Sequence, residues 1–137
     1  MTIQDEYRTG RHCVFAIHAH LVCVTKYRKR VFDSNALDIL KTIMQDVCHD
    51  FEVELTAFEG EDNHVHLLIN YPPQVQLSKL VNSLKGVSSR MLRKHMPAIT
   101  NRYYKNVLWS PSYFAASCGG APLSIIKQYE EQQNRPA

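Results

Sequence analysis

The chain has 137 residues, of which 45% are hydrophobic and 21% are charged. That balance is typical of a globular protein and excludes a disordered chain, and the length predicts one domain, residues 1–137, with one core. The formal net charge of +3 permits a polyanionic partner without requiring one. Any argument for nucleic-acid binding therefore depends on where the charges cluster.

The cysteines lie far apart, and no two of them have the C-x-x-C spacing of a zinc ribbon or a dithiol redox site. The amino-terminal residues are polar, and no apolar run approaches the roughly 18 residues that a membrane span needs. We therefore expect a cytoplasmic protein with free thiols. Three cysteines lie in apolar patterns, as small core residues do. The full set is Cys13, Cys23, Cys48 and Cys118.

The chain begins with a predicted strand followed by a predicted helix. Residues 12–26 alternate between two sides, with Leu21 on one and His20 on the other, and this period of two indicates a long strand. Asp33 or Ser34 is a suitable amino-terminal cap for the helix. The apolar positions of that helix repeat at helical spacing: Leu37, Leu40, Ile43, Met44 and Val47.

Two further strands follow this helix. Alternation over residues 51–57 predicts the second strand, and a polar turn is expected at residues 60–63. The third strand is predicted over residues 64–71, where Pro72 stops it. The short connection favours an antiparallel hairpin.

The second half of the chain contains the clearest amphipathic helix, and Pro97 is expected to end it. A fourth strand is predicted over residues 112–118, and a final helix over about 122–134, with Pro122 at its start. The order of elements predicts an α+β fold in which helices pack on an antiparallel sheet of about four to five strands. The apolar positions of the long helix are Leu77, Leu80, Val81, Leu84, Val87, Met91 and Leu92.

Two histidines on the third predicted strand could carry chemistry. In a strand, residues two apart project from the same face, so His64 and His66 lie side by side while Val65 faces the core. Two imidazoles on one rigid face can chelate one metal ion. The alternative is a pair of histidines on a half-solvated sheet face, which an isolated His-x-His pattern more often indicates.

The predicted final helix offers a third ligand and a nucleophile. Tyr129 and Gln133 are four residues apart and therefore lie on one helical face. The amide oxygen of Gln133 could bind the metal, and a phenol needs a nearby metal or base to attack. The alternative is that Tyr129 packs in the core and Gln133 is solvated.

Basic and aromatic residues form a third set, at the end of the first strand and along the long helix. They could contact phosphates and stack on unpaired bases. The alternative is a solvated charged surface, with Trp109 in the core. The candidates for DNA contact are Lys26, Tyr27, Arg28, Lys29, Arg30, Lys85, Arg90 and Trp109.

Over nearly its whole length, the chain resembles the HUH (His-hydrophobic-His) single-tyrosine transposases of bacterial insertion sequences. Six segments in this order carry the resemblance. They are residues 20–28 (HLVCVTKYR), 63–68 (NHVHLL), 84–88 (LKGVS), 108–114 (LWSPSYF), 119–123 (GGAPL) and 126–133 (IKQYEEQQ).

The resemblance implies a ferredoxin-like α+β fold and a homodimer in which the partner can supply the tyrosine helix to the active site. It further implies that His64, His66 and Gln133 bind the metal and that Tyr129 is the nucleophile. The expected metal is Mg²⁺ or Mn²⁺, because two nitrogens and one amide oxygen suit Mn²⁺ at least as well. The expected substrate is single-stranded DNA carrying small hairpins.

The sequence departs from the family pattern at two places. Glu130 follows the tyrosine where the family usually has an apolar residue, which concerns how the helix docks more than the chemistry. The turn before the histidines is unusually acidic, with Glu59, Glu61 and Asp62, and these carboxylates either weaken the approach of DNA or recruit a cation.

Three alternatives to a transposase remain open from the sequence. One is a domesticated relative that nicks chromosomal hairpin repeats, and another is a replication-initiator or relaxase nickase, which the short chain disfavours. The third is a non-catalytic module of the RRM type, which needs exposed aromatic residues on its central strands. The predicted strand presents His64 and His66 instead.

Overall fold

The computed structural model describes residues 7–103, 105 and 107–117. Two helices and six strands lie in this part of the chain, and a 3-10 turn follows β3 and another follows α2. In chain order the elements are β1 (Arg8–Thr9), β2 (Val14–Phe15), β3 (His18–Val24), the first 3-10 turn (Lys26–Arg28), α1 (Ser34–Asp50), β4 (Glu54–Glu61), β5 (His64–Asn70), α2 (Leu77–His95), the second 3-10 turn (Pro97–Arg102) and β6 (Phe114–Ser117).

The main sheet has four strands in the order β4-β5-β3-β6, and every neighbouring pair is antiparallel. The element order from β3 onward is strand, helix, strand, strand, helix, strand. This order and the antiparallel sheet are those of a ferredoxin-like α+β fold, which confirms the fold expected from the sequence. β1 and β2 form a separate two-stranded ribbon.

The two faces of the main sheet differ because side chains alternate along each strand. Leu21 of β3 and Leu67 of β5 are fully buried against both helices in the main core. The opposite face carries His20 and His66, together with Val22 in a small second cluster against Phe114. The predicted alternation of the first strand is therefore confirmed from His18 onward.

The side chain of Asp33 caps the amino terminus of α1. Its carboxylate oxygen Oδ1 accepts a hydrogen bond of 2.8 Å from the backbone N–H of Ala36. A suitable cap at this place was predicted from the sequence, and of the two candidates the structure selects Asp33, because Ser34 is already the first helical residue. The capped helix then presents Leu40 and Met44 to the core.

The bounds of the first two predicted strands and of the turn after them were displaced, and the fourth strand begins at Phe114 rather than at residue 112. The long first strand is broken, because β2 pairs with β1 and only β3 joins the main sheet. The second strand begins at Glu54, after Glu52 turns the chain with a positive φ of 60°. It then runs through Gly60, so that the predicted turn at 60–63 shortens to Asp62 and Asn63 between β4 and β5.

Glycine at position 60 lets α1 approach the sheet closely. A Cβ atom added there would lie 2.5 Å from Cδ2 of Leu37, a distance at which the leucine side chain would have to shift. α2 ends at His95, and Pro97 opens the 3-10 turn that follows. Among the helices of the described residues, none is long and apolar enough to cross a membrane.

Candidate functional site

His64 and His66 lie at the start of β5, on the face of the sheet opposite the helices. They pair across the sheet with Val24 and Val22 of β3. Val65 between them is fully buried in the main core. The predicted side-by-side arrangement of the two imidazoles is therefore present, and His64 is buried with only 7% of its surface exposed.

A neighbouring amide fixes the orientation of the His64 ring. Nδ1 of His64 lies 2.9 Å from Oδ1 of Asn63. Because an amide oxygen can only accept, this contact places a proton on Nδ1 of His64 and directs Nε2 away from Asn63. A fixed tautomer of this kind is typical of metal-binding histidines.

His20 of β3 contacts the ring of His66, a partner that the sequence did not identify. Nδ1 of His20 lies 3.2 Å from Nε2 of His66, and the two ring centroids are 5.3 Å apart. One of these nitrogens donates and the other accepts, so the tautomers of the two rings are coupled. The sequence indicated only that His20 lies on the side of its strand that faces away from the core. The register of β3 against β5 is what places it beside His66.

Two of the acidic residues before the histidines, Glu59 and Glu61, also lie on this face. The register of β4 against β5 places Glu61 opposite His64 and Glu59 opposite His66. Directly opposed residues of an antiparallel pair have Cβ atoms roughly 4.5–5.5 Å apart. Within the described residues, however, no three histidine, cysteine or acidic side chains are grouped so that they could hold one metal ion.

The predicted nucleophile Tyr129 and the predicted third ligand Gln133 lie outside the described residues, as does the helix expected over about 122–134. Their placement stays a prediction. The chemistry of the described pair fits a divalent metal in part: two imidazoles can supply two nitrogen ligands, and an amide oxygen from elsewhere in the chain could complete the set.

The basic run at the end of β3 forms a tight turn with an unusual backbone. Tyr27 and Arg28 have positive φ angles of 57° and 52°. For a residue other than glycine, this left-handed conformation costs about 1 kcal/mol relative to the right-handed one. The hydroxyl of Thr25 closes the turn by donating to the carbonyl of Lys29 at 2.7 Å.

The side chains of this run differ in exposure. Tyr27 is 67% exposed, with Nζ of Lys26 5.4 Å from the centre of its ring, and Lys29 and Arg30 are also exposed. Arg28 is half-buried, and its Nη1 atom is inaccessible and has no hydrogen-bond partner within the described residues. Leaving a buried donor unsatisfied costs about 1–3 kcal/mol, and more for a charged group. Contact of these residues with DNA stays a prediction.

Two of the candidates for DNA contact, Trp109 and Lys85, instead make contacts within the protein. Trp109 belongs to the main core, and its indole N–H donates to the hydroxyl of Ser88 at 3.0 Å. Stacking of Trp109 on an unpaired base, as predicted, is wrong for this arrangement because the ring is enclosed by apolar groups. On the outer side of α2, Arg90 is exposed and stays available to a partner.

Lys85 is committed to a loop of the protein. Its Nζ atom donates to the backbone carbonyls of Ser110 and Ser112 at 2.7 and 2.8 Å. Burial lowers the pKa of the Lys85 ammonium, and the negative charge of Cys23, where its thiol ionises, opposes this shift in part. The predicted phosphate contact of Lys85 would have to compete with these bonds. The residue is better described as an anchor of the loop before β6.

The open choice between an RNA-binding module and a transposase is decided by the central strands and by similarity to known proteins. An RRM stacks bases on aromatic residues of its central strands, whereas β3 and β5 present His20, His64 and His66 here. A ferredoxin-like sheet with a His-hydrophobic-His pair on a central strand is the arrangement of the HUH class. The chain belongs to the family described as "Transposase IS200 like", which it matches over residues 13–133.

Two relatives illustrate the similarity in sequence. The chain is 31% identical over 129 residues to the ISDra2 transposase TnpA of Deinococcus radiodurans, covering 94% of this chain and 92% of the relative. It is 27% identical over 113 residues to the transposase for insertion sequence element IS200 of Salmonella typhimurium, covering 82% and 74% of the two chains.

Solved structures agree with the fold. A crystal structure of a candidate transposase from Deinococcus radiodurans R1 has a TM-score of 0.84 and 33% identity, and the match covers 92% of this chain and 97% of that one. A REP-associated tyrosine transposase bound to a REP hairpin has a TM-score of 0.56. Because its sequence is only 14% identical, that likeness concerns the fold alone.

Proposed function

We propose that this transposase cleaves and rejoins single-stranded DNA through a covalent bond between Tyr129 and a 5′ phosphate, in a metal-dependent reaction. The observation that carries the proposal is the pair of imidazoles of His64 and His66, held on one face of a central strand. The membership of the chain in a transposase family supports the reaction class.

The metal would be held by His64, His66 and Gln133, and either Mg²⁺ or Mn²⁺ is expected to support activity, with higher affinity for Mn²⁺. When bound, a divalent ion supplies Lewis-acid polarisation of the scissile phosphate. The contribution of the described residues is orientation. Asn63 fixes the ring of His64, and His20 fixes the ring of His66.

The covalent step exchanges one phosphate ester for another. The phenol oxygen of Tyr129 attacks phosphorus, and the bond from phosphorus to the 3′ oxygen breaks. The phenol loses a proton and the leaving 3′ oxygen gains one, which makes it a 3′ hydroxyl. Because the phosphotyrosine keeps the energy of the broken phosphodiester, a second 3′ hydroxyl can attack it and rejoin DNA without ATP.

The proposed substrate is single-stranded DNA with hairpins near its ends. The exposed part of the basic turn, with Tyr27, Lys29 and Arg30, offers charge and one aromatic ring for such a strand. A relative of the same fold has been solved in complex with a REP hairpin. That complex supports the substrate class by analogy of fold.

The test is a denaturing gel of the purified protein with labelled single-stranded DNA from the ends of its own element and Mn²⁺ or Mg²⁺. We expect a covalent adduct that survives denaturation, disappears with EDTA and is absent in Tyr129→Phe and His64→Ala. The matched controls are Tyr7→Phe, an exposed tyrosine, and His49→Ala at the end of α1, both of which should keep the adduct.

Three results would each reject part of this proposal. An adduct in Tyr129→Phe would assign the nucleophile to another tyrosine. Full activity after exhaustive chelation would reject the metal. A folded wild type that binds hairpins tightly but forms no adduct would indicate a binding-only descendant.

We further propose a homodimer in which Tyr129 of one chain serves the histidines of the other. Mixing Tyr129→Phe with His64→Ala tests the shared site. In the shared arrangement, the histidines of the first variant meet the tyrosine of the second, so the mixture should regain adduct that neither variant forms alone. An inactive mixture of dimers that have exchanged subunits would assign Tyr129 to the histidines of its own chain.

A further inference from the structure

Thr25, the residue between β3 and the basic turn of residues 26–30, is only 1% exposed although its side chain is polar. On one side it continues the pairing of β3 with β5, because its backbone N–H donates to the carbonyl of Asn63 at 2.9 Å. On the other side it forms an isolated antiparallel bridge with Trp109. Thr25 therefore connects the start of the basic turn to the residue that orients His64.

The hydroxyl of Thr25 has one hydrogen and two carbonyl groups within reach. Oγ1 lies 2.7 Å from the carbonyl oxygen of Lys29 and 3.2 Å from that of Asn63. The carbonyl of Asn63 already accepts the backbone N–H of Thr25. Because a hydroxyl donates one hydrogen, and because the bond of 2.7 Å has the preferred length, the hydroxyl is committed to Lys29. What it holds in place is the basic turn.

The backbone of the basic turn is held in an unfavourable conformation. Tyr27 and Arg28 have positive φ, which residues other than glycine seldom adopt. Within the turn, the N–H of Arg28 donates to the carbonyl of Thr25 at 3.0 Å, and the N–H of Lys29 donates to that of Lys26 at 3.3 Å. The bond from the Thr25 hydroxyl is shorter than both, at 2.7 Å. Without it, the strained turn keeps only the two longer bonds of these three.

The basic turn presents charge that a polyanion can reach. Lys29 is exposed, and the side chain of Arg30 is 85% exposed. Arg30 lies 3.6 Å from a carboxylate oxygen of Asp62, but an ion pair this exposed contributes little and can be exchanged for a phosphate. The direction of both basic side chains depends on the backbone of the turn. A turn that is fixed before binding avoids the entropic cost of being ordered by the ligand.

We propose that Thr25 is a positioning residue, whose hydroxyl holds the basic turn so that Lys29 and Arg30 contact phosphates of the DNA strand. The inference rests on the proposed substrate, single-stranded DNA. Thr25 itself does not touch the strand, because it is buried. Its effect reaches the DNA through the carbonyl of Lys29.

The experiment is fluorescence anisotropy of the full-length protein with labelled single-stranded DNA from the ends of its element, over a series of salt concentrations. EDTA is present throughout, so that cleavage plays no part. Thr25→Val removes the hydroxyl and keeps the branched shape, whereas Thr25→Ser keeps the hydroxyl. The matched control is Thr56→Val in β4, because the hydroxyl of Thr56 also donates to a backbone carbonyl, that of Leu68 at 3.0 Å.

Each phosphate contact that is lost lowers the slope of log affinity against log salt by roughly 0.7–0.9, which is about five- to eight-fold in affinity at 0.1 M salt. We expect Thr25→Val to lose at least one contact by this measure, and Thr25→Ser and Thr56→Val to keep the slope of wild type. Adding Lys29→Ala to Thr25→Val should change the slope less than it does in wild type, because the two residues act together. A loss of stability alone would reduce the active fraction and leave the slope unchanged.

Two further measurements separate positioning from general damage to the site. Thr25→Val should raise the DNA concentration at which adduct formation is half-maximal and leave the maximal rate unchanged. The affinity for Mn²⁺ in isothermal titration calorimetry should also stay unchanged, because the backbone bond between Thr25 and Asn63 remains. If Thr25→Val does not unfold cooperatively in urea, Thr25→Ala replaces it, since it removes the same hydroxyl without adding a buried methyl group.

An unchanged slope in the variant without the hydroxyl would overturn the proposal, and so would an equal fall of the slope in Thr56→Val. A full additional effect of Lys29→Ala in the Thr25→Val protein would also reject it, because the turn would then still be in place. A lowered slope without any covalent adduct in wild type would keep the positioning role and reject the cleavage chemistry. An adduct without any change of slope would do the reverse.

Discussion

The contact between His20 and His66 is the most informative feature at the scale of single residues. Nδ1 of His20 lies 3.2 Å from Nε2 of His66 and restrains the ring that is proposed to bind metal. Partners of this kind orient metal ligands, and losing them typically lowers metal affinity 10- to 100-fold. The same face of the sheet also carries His18, two residues away, opposite Asn70.

We predict that His20→Ala weakens Mn²⁺ binding at least ten-fold, measured by isothermal titration calorimetry. His20→Gln should recover part of the affinity, because an amide can still reach the ring of His66 by a hydrogen bond. The matched control is His18→Ala, which removes an imidazole from the same strand. Unchanged Mn²⁺ affinity in His20→Ala would show that the contact does not orient the ligand.

At the scale of elements, the start of α1 combines a cap with an ion pair. Asp33 accepts from the backbone of Ala36 at 2.8 Å and pairs with Nη1 of Arg102 at 3.1 Å. The backbone hydrogen bond, followed by the arginine, holds the pKa of the Asp33 carboxyl below its ordinary value of 3.8. The ionised form is therefore favoured in the folded state.

Asp33→Ala should lower the free energy of unfolding by about 1 kcal/mol at pH 6, the usual cost of losing an amino-terminal cap. Because the folded pKa is depressed, the contribution of the charge is complete above the ordinary value and is lost as the pH falls through the folded value. The difference between wild type and variant in urea unfolding should therefore shrink below about pH 4. Ser34→Ala is the control, and a difference that stays constant down to pH 2 would contradict the electrostatic part.

α2 is connected to the loop before β6 by the hydrogen bond between Trp109 and Ser88. Ser88→Ala leaves the buried indole N–H without an acceptor, which should cost about 1–3 kcal/mol. Urea unfolding followed by the fluorescence of the single tryptophan measures this loss. Ser78→Ala, at an exposed position of the same helix, should change stability little. Equal effects of the two substitutions would show that the bond is not stabilising.

At the scale of the whole molecule, the buried cysteines report the opening of the core. Burial raises the pKa of the Cys23 thiol to about 11 and that of the Cys48 thiol to about 12, which keeps both protonated at neutral pH. Both are free thiols. A protonated thiol inside a close-packed core reacts only after the surrounding structure opens.

We predict that iodoacetamide at pH 8 modifies the half-buried Cys13 in the folded protein well before Cys23 or Cys48. Peptide mass spectrometry would give the rate at each site, with Cys118→Ser used so that the fourth cysteine does not contribute. In urea above the unfolding midpoint, all three rates should converge. Reaction of Cys23 as fast as Cys13 under native conditions would show that the sheet opens locally.

Several features of this protein follow from its sequence alone because their causes are local. A period of two assigns Leu21 to the core and His20 to the opposite face, and the same rule places His64 beside His66. The capping of α1 depends on residues within one turn of Asp33. The class of fold follows from the order of elements, and the six segments that resemble the HUH transposases indicate the family.

Only the tertiary structure decides the features that depend on which strands meet. The partner of His66 is 46 positions away in the chain, and Thr25 joins the turn after β3 to the turn before β5. The break between β2 and β3 could not be predicted from the alternation of apolar residues either, because a strand of the two-stranded ribbon and a strand of the main sheet both have a period of two. Local patterns assign the face to which a side chain points, whereas the pairing register, set by the fit of all the strands together, decides which side chains it meets.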